Sequence, residues 1–185
     1  MAAENRLKKH MEIIVPVIVL ILIDQAVKIY ISANFMNSRF YFIDGILGFK
    51  PQLNTEYSWI NDISNLGITL IPHLIITALI LIAAILIYGY MRNNRTMGKM
   101  EKGLFTFLFA GAFCSFIDKA FWGGSLDYIL LEGFFIFDLK DLYITIFEVI
   151  TVLCVIFNYK GLRKFDEKKF LLDFKNYVKL RYLKK

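Results

Sequence analysis

Four apolar segments constrain this chain more than any other feature, because each is close to the roughly 20 residues a helix needs to cross the hydrocarbon core of a bilayer. They run from Glu12 to Ala33, Leu66 to Met91, Gly103 to Phe121 and Asp141 to Tyr159. Hydrophobic residues make up 57% of the 185, against roughly 45–50% in a soluble domain. One integral membrane unit is expected, with no room for a sizeable soluble domain beside it. Arg6, Lys8 and Lys9 precede the first segment as they would a signal peptide. No small-residue cleavage site follows, and Asp24 and Lys28 stand in its later part, so it is read as an uncleaved span.

The basic residues give the direction. The N-terminal tail, the 92–102 loop and the chain from Lys160 onward carry 17 of the 22 Lys and Arg. The positive-inside rule then puts both termini and that loop in the cytoplasm, and segments 35–65 and 122–140 outside. The net charge of +6 reflects orientation rather than nucleic-acid binding. Alternating aromatics at Phe40 and Phe42, among Gly, Pro and Asn, predict a small β-rich cap over 35–65. Residues 122–140 read as a loop, in which Gly123 and Gly124 permit a sharp reversal of the backbone. Phe170, Leu171, Phe174, Tyr177 and Val178 recur at helical spacing among lysines. That pattern predicts an amphipathic helix with a basic face, lying on anionic inner-leaflet lipid; docking to protein is the lesser option. The expected fold is an all-α membrane protein: a four-helix unit over 1–159 with an extracytoplasmic cap, then a basic amphipathic tail over 160–185.

Cys114 and Cys154 fall inside apolar runs, where cysteine behaves as a small hydrophobe. His10 and His73 are isolated, and no Cys/His metal spacing exists. No metal or cofactor is expected.

The charged residues in and beside the spans carry the chemistry, since ionisable groups in a membrane are costly and mark function by default. Asp24 and Lys28 stand four apart on one helix face and can pair, which also serves a purely structural role. Asp118 and Lys119 end the third span. Asp127 follows the two glycines, and is either a solvated loop acid or a group returned to the bundle mouth. Asp141 opens the fourth span, where a carboxylate is also an ordinary partner of the helix dipole. Glu148 lies seven residues on, on the same face, and is read as protonated or paired inside the bundle, with Lys28 as a candidate partner. Asp127 and Asp141 brought close could not both ionise easily, so they would share a proton. The charged member would activate water while the protonated member polarises a scissile carbonyl. That is aspartic-protease chemistry.

At these residues the chain resembles lipoprotein signal peptidase (signal peptidase II), a four-span bacterial membrane aspartic protease that removes signal peptides from prolipoproteins. The family motif D-Q-x-x-K is matched by Asp24-Gln25-Ala26-Val27-Lys28. G-A-x-G-N-x-x-D-R is approximated by Gly111 to Lys119, with Ser115 in place of Asn and Lys119 in place of Arg. G-G-x-x-D-F-I is similar to Gly123 to Ile129. F-N-x-A-D-x-x-I is echoed by Phe137 to Ile144, with Asp138 and Lys140 replacing Asn and Ala. N-x-G-x-x-F/W is echoed by Asn54 to Trp59, with Glu56 in place of Gly. The matches run from Asp24 to Ile144 in the family's order. The resemblance implies Asp127 and Asp141 as the catalytic dyad and Asn54 as a substrate-holding residue. Asp24, Lys28, Ser115, Asp118, Lys119 and Asp138 would then support the site. It also implies lipidated prolipoprotein substrates, membrane lipids as surroundings, no nucleic acid, no metal or cofactor, and a multi-pass place in the bacterial cytoplasmic membrane. The departures leave open a silent paralogue that only binds lipoproteins or signal peptides. A proton-coupled carrier using Asp24, Glu148 and Lys28 is the remote alternative.

Overall fold

In the computed structural model, which describes residues 2–57, 61, 64–94, 97–157 and 167–183, helix α1 (Ala2–Asn34) shows how an apolar run carries a polar face. Its buried residues are Ile13, Val17, Asp24, Lys28 and Ile31, spaced by three, four or seven positions and therefore on one stripe. Ile14, Val15, Ile18, Val19, Leu22 and Ile23 point outward and are exposed. Apolar side chains all round the outward face, with charges inside, is a surface suited to lipid rather than water.

Helix α2 (Leu70–Asn94) is the most apolar of the helices long enough to cross a bilayer, with a mean hydropathy of 2.8 over its span. Helix α3 (Lys99–Ile117) is central and packs on α1, α2 and α4 (Leu139–Ile156). Its buried stretch of Phe109, Ala110, Gly111, Ala112 and Cys114 is mostly small, which lets neighbours approach closely. Among the described residues, three helices are long and apolar enough to cross a membrane, at Met11–Asn34, Leu70–Asn94 and Lys99–Trp122. Helix α4 is not among them: it is 18 residues long and holds Lys140, Asp141 and Glu148.

The chain also builds a four-stranded antiparallel sheet in the order β1 (Phe40–Ile43), β2 (Leu47–Asn54), β3 (Ser125–Leu131), β4 (Phe135–Phe137). A β-rich cap was expected over 35–65 alone. Instead residues 122–140, expected as a loop, supply half of the sheet. The alternation that marks β3 is legible afterwards: Leu126, Tyr128 and Leu130 are buried on one face, as the two-residue period of a strand requires. Leu126 and Tyr128 pack with Ile31 of α1 and with Phe49, Trp122 and Leu139, fixing the sheet to the helix ends.

Helix α5 (Glu167–Val178) turns part of the apolar face expected to lie on the inner leaflet toward protein. Its rings Phe170, Phe174 and Tyr177 surround Tyr90 near the end of α2, at centroid distances of 5.3, 5.7 and 5.8 Å. The aromatic part of its apolar face is therefore spent on protein, while Leu171 and Leu172 remain exposed. Tyr159, where the fourth span was expected to end, and the basic run at 160–166 lie outside the described residues.

Candidate active site

The polar residues of α1, the end of α3, the sheet and the start of α4 converge at one point. Lys28 is fully buried, and its Nζ lies 2.8 Å from Asp24 Oδ2, 2.6 Å from Asp118 Oδ2 and 2.7 Å from Asp138 Oδ2. The pairing of Asp24 with Lys28 expected from their spacing is present, and two further acids join it. Gln25, the second residue of the D-Q-x-x-K match, donates to Asp118 Oδ1 at 3.0 Å and accepts from Trp122 Nε1 at 3.1 Å. Lys119 is buried and donates to Ser115 at 2.6 Å.

Asp118 opens a π-helical turn, Asp118–Trp122, that ends at Gly123 in the left-handed region with φ 67°. Glycine adopts that conformation without a Cβ penalty, so the chain reverses there and enters β3. A Cβ on Gly124 would lie 2.6 Å from the Asn54 carbonyl oxygen. Only glycine allows β2 and β3 to pair this closely at their ends, where Gln52 faces Asp127 and Asn54 faces Ser125. Asp127 is accordingly buried rather than solvated. Its Oδ2 accepts from Asn54 Nδ2 at 2.9 Å, and its Oδ1 from Ser125 Oγ at 2.7 Å.

Asp138 caps α4. Its Oδ1 accepts from the Asp141 N–H at 3.1 Å, and Asp141 Oδ2 accepts from the Asp138 N–H at 3.2 Å. This reciprocal capping box fixes both carboxylates to the first turn. Carboxylate oxygens from Asp127, Asp138 and Asp141 lie within 4.8 Å of one another. Asp141 is the most open of the three, with its side chain 40% exposed.

Lys140 stands in the middle of them. Its Nζ lies 2.8 Å from Asp138 Oδ2, 2.6 Å from Ser125 Oγ, 3.4 Å from Asp141 Oδ1 and 3.6 Å from Asp127 Oδ1. An ammonium bonded there already supplies the countercharge that a cation would bring, so the three acids do not form an open metal cage. Burial raises the Asp127 carboxyl above its usual range; Lys140 opposes this and Asp138 adds to it. Burial would raise Asp138 too, but Lys140 and Lys28 overcome it and hold that carboxyl at about 2.

The structure therefore gathers Asn54, Asp24, Lys28, Asp118, Asp127, Asp138 and Asp141 into one network, with Ser115 and Lys119 beside it. Glu148 does not join: it is exposed on α4, and Lys28 is satisfied by three aspartates. The carrier reading loses its inner acid with that correction. Trp59 and Ser58, the end of the N-x-G-x-x-F/W match, lie outside the described residues. Ser125 was not foreseen as a site residue. The signal for it was its position two residues before Asp127, which on a strand means the same face. An apolar cavity of about 450 Å³ lies between α2, α3 and α4, lined by residues such as Ile80, Leu104, Leu108 and Phe147. None of the clustered carboxylates borders it.

A family model described as Signal peptidase (SPase) II matches residues 16–157. Two solved structures, both described as a bacterial membrane enzyme determined by the in meso method, are similar. One, at 2.3 Å resolution, has a TM-score of 0.65 and 25% identity, over 83% of this chain and 92% of that one. The other, at 1.9 Å, has a TM-score of 0.61 and 28% identity, over 77% and 90%. No curated protein sequence matches the chain.

Proposed function

The chain belongs to the signal peptidase II family, and we propose that it is a membrane aspartic endopeptidase that cuts diacylglyceryl-modified prolipoproteins just before the lipid-bearing Cys. The observation that carries this reading is the approach of Asp127 and Asp141, whose carboxylate oxygens lie within 4.8 Å of each other. At that distance the two share a proton, because like charges so close do not both ionise readily. The ionised member takes a proton from water as the water oxygen attacks the scissile carbonyl carbon. The protonated member gives its proton to the carbonyl oxygen. Collapse of the tetrahedral intermediate breaks the C–N bond: the departing amine takes the proton that the pair holds, and a hydroxyl of the gem-diol gives its proton back as the new carboxyl forms, so the pair again holds one proton.

Asn54 and Ser125 fix the orientation of Asp127 from two sides, and the capping box fixes Asp141. The chain's other charges support an outer-face site. The basic residues concentrate in the N-terminal tail, the 92–102 loop and the chain beyond 160, which the positive-inside rule assigns to the cytoplasmic side. In this topology α4 is the fourth span, with its three charges tolerated because two of them sit at its mouth. The exposed apolar faces of α1 and α2 leave the site reachable from lipid, where a substrate with acyl chains and an apolar signal helix would reside.

Purified protein in lipid, given one lipidated precursor, is expected to release the signal peptide. Asp127→Asn and Asp141→Asn should fold yet release none, as read by gel shift. Full cleavage by either variant removes the dyad from the mechanism. A second reading, a silent member that captures lipoproteins or signal peptides, is favoured by Lys140, whose ammonium stands within 4 Å of both dyad acids. Binding without cutting across a panel of lipidated substrates distinguishes it.

A further inference from the structure

Lys140 is the one site lysine that touches both dyad acids, and it replaces an alanine of the matched motif. It is 7% exposed, and a buried, hydrogen-bonded ammonium at 3.4 and 3.6 Å from two carboxylates acts on both. The charges facing it come from every element at the site. They are Asp138 and Asp141 on its own turn, Asp127 on β3, Asp118 and Lys119 at the end of α3, and Lys28 with Asp24 behind it on α1. Asp138 and Ser125 hold it in place at 2.8 and 2.6 Å.

We propose that Lys140 is a positioning residue for the dyad: held between Asp127 and Asp141, its ammonium sets the pH above which the proton they share is lost. This rests on the peptidase reading for its consequence in catalysis, but the proton itself is observable without cleavage. The sign follows from charge. A cation at this distance favours the ionised carboxylates, so it draws the loss of the shared proton to lower pH. Removing the cation lets the pair keep its proton to higher pH. Asp138, left with Lys28 as its remaining close countercharge, pushes in the same direction. The active window of this chain therefore closes earlier on the alkaline side than that of the same pair without the lysine.

The test compares the wild type with Lys140→Met and with Asp138→Asn/Lys140→Met, in which a charge pair leaves together and no buried carboxylate is stranded. Two readouts are taken in lipid across pH: cleavage of a lipidated precursor, and the protonated-carboxyl infrared band of protein carrying labelled aspartate. Lys140→Met is expected to move both midpoints upward by about one pH unit or more, the low end of the effect of an opposite charge within 4–6 Å. The double variant is expected to move them upward by less, because Lys140 acts on both dyad carboxyls more strongly than Asp138 opposes it. If Lys140→Met does not fold, the double variant decides. Midpoints at wild-type values in whichever variant folds overturn the proposal. An infrared midpoint that shifts in protein that never cleaves supports Lys140 in this role and removes the peptidase reading instead.

Discussion

At the sheet end of the bundle, helices meet through charge: Lys28 bridges Asp24, Asp118 and Asp138, and Lys140 lies among Asp118, Asp127, Asp138 and Asp141. At the far end, α2 and α5 meet through rings, with Tyr90 surrounded by Phe170, Phe174 and Tyr177. Both regions are built contacts between helices, yet they tolerate change differently. Aromatic packing is non-directional and graded, so losing one ring weakens it in part. A buried ion network is all or nothing, because removing one partner leaves the others charged and stranded. On the proposed reading the polar end holds the chemistry at the expense of robustness, while the aromatic end holds α5.

Five substitutions press on that contrast, from the largest effect to the smallest. Asp127→Asn or Asp141→Asn should lower the rate of precursor cleavage by at least about 10²-fold, the usual size of a lost acid–base group. The melting midpoint should change little, since Asn keeps the shape of each side chain. Lys28→Met should destabilise the protein by about 3–5 kcal/mol, the range for breaking a buried pair. Chemical unfolding in lipid or detergent reads it. Ser125→Ala removes one hydrogen bond to Asp127 and should cost about tenfold in kcat with KM nearly unchanged, consistent with about 1.5 kcal/mol for a bond to a charged group. Tyr90→Ala, at the other end, should loosen α5 by about 1–2 kcal/mol, from two or three ring contacts. It should leave cleavage at the wild-type rate. A Tyr90 variant that abolished cleavage would break the division between the two ends.

The pH dependence sharpens the same point. Burial raises the Asp127 carboxyl, so the protonated form persists above the ordinary carboxylate range. Cleavage should fall on the alkaline side as the shared proton leaves, and on the acid side as both members become protonated. A profile flat across both limbs contradicts a two-carboxylate mechanism.

Three long helices and the strands within 35–65 were legible in the sequence because each depends on local pattern. Apolar length gave the long helices, and four-residue spacing gave the Asp24–Lys28 pair. Strand β3 was hidden because its pairing with β2 is non-local, and two glycines at its head read equally as a loop. Glu148 was misread for a different reason. Asp141 and Glu148 do share a face, but the first sits at a helix mouth covered by the sheet, while seven residues deeper nothing covers that face. Periodicity reports which residues align and not what lies opposite them. The tail shows the same limit: its amphipathic spacing was correct, and the surface that its rings chose was protein.

The contact between Asn54 and Asp127 joins positions 73 residues apart, and it depends on strands from both ends of the gap lying side by side. A ribosome that has made only the first half of the chain has therefore made only half of this cluster. The carboxylate cluster comes into being when the later hairpin pairs with the earlier one. On the proposed reading, completion of the chain is then also the step that arms it.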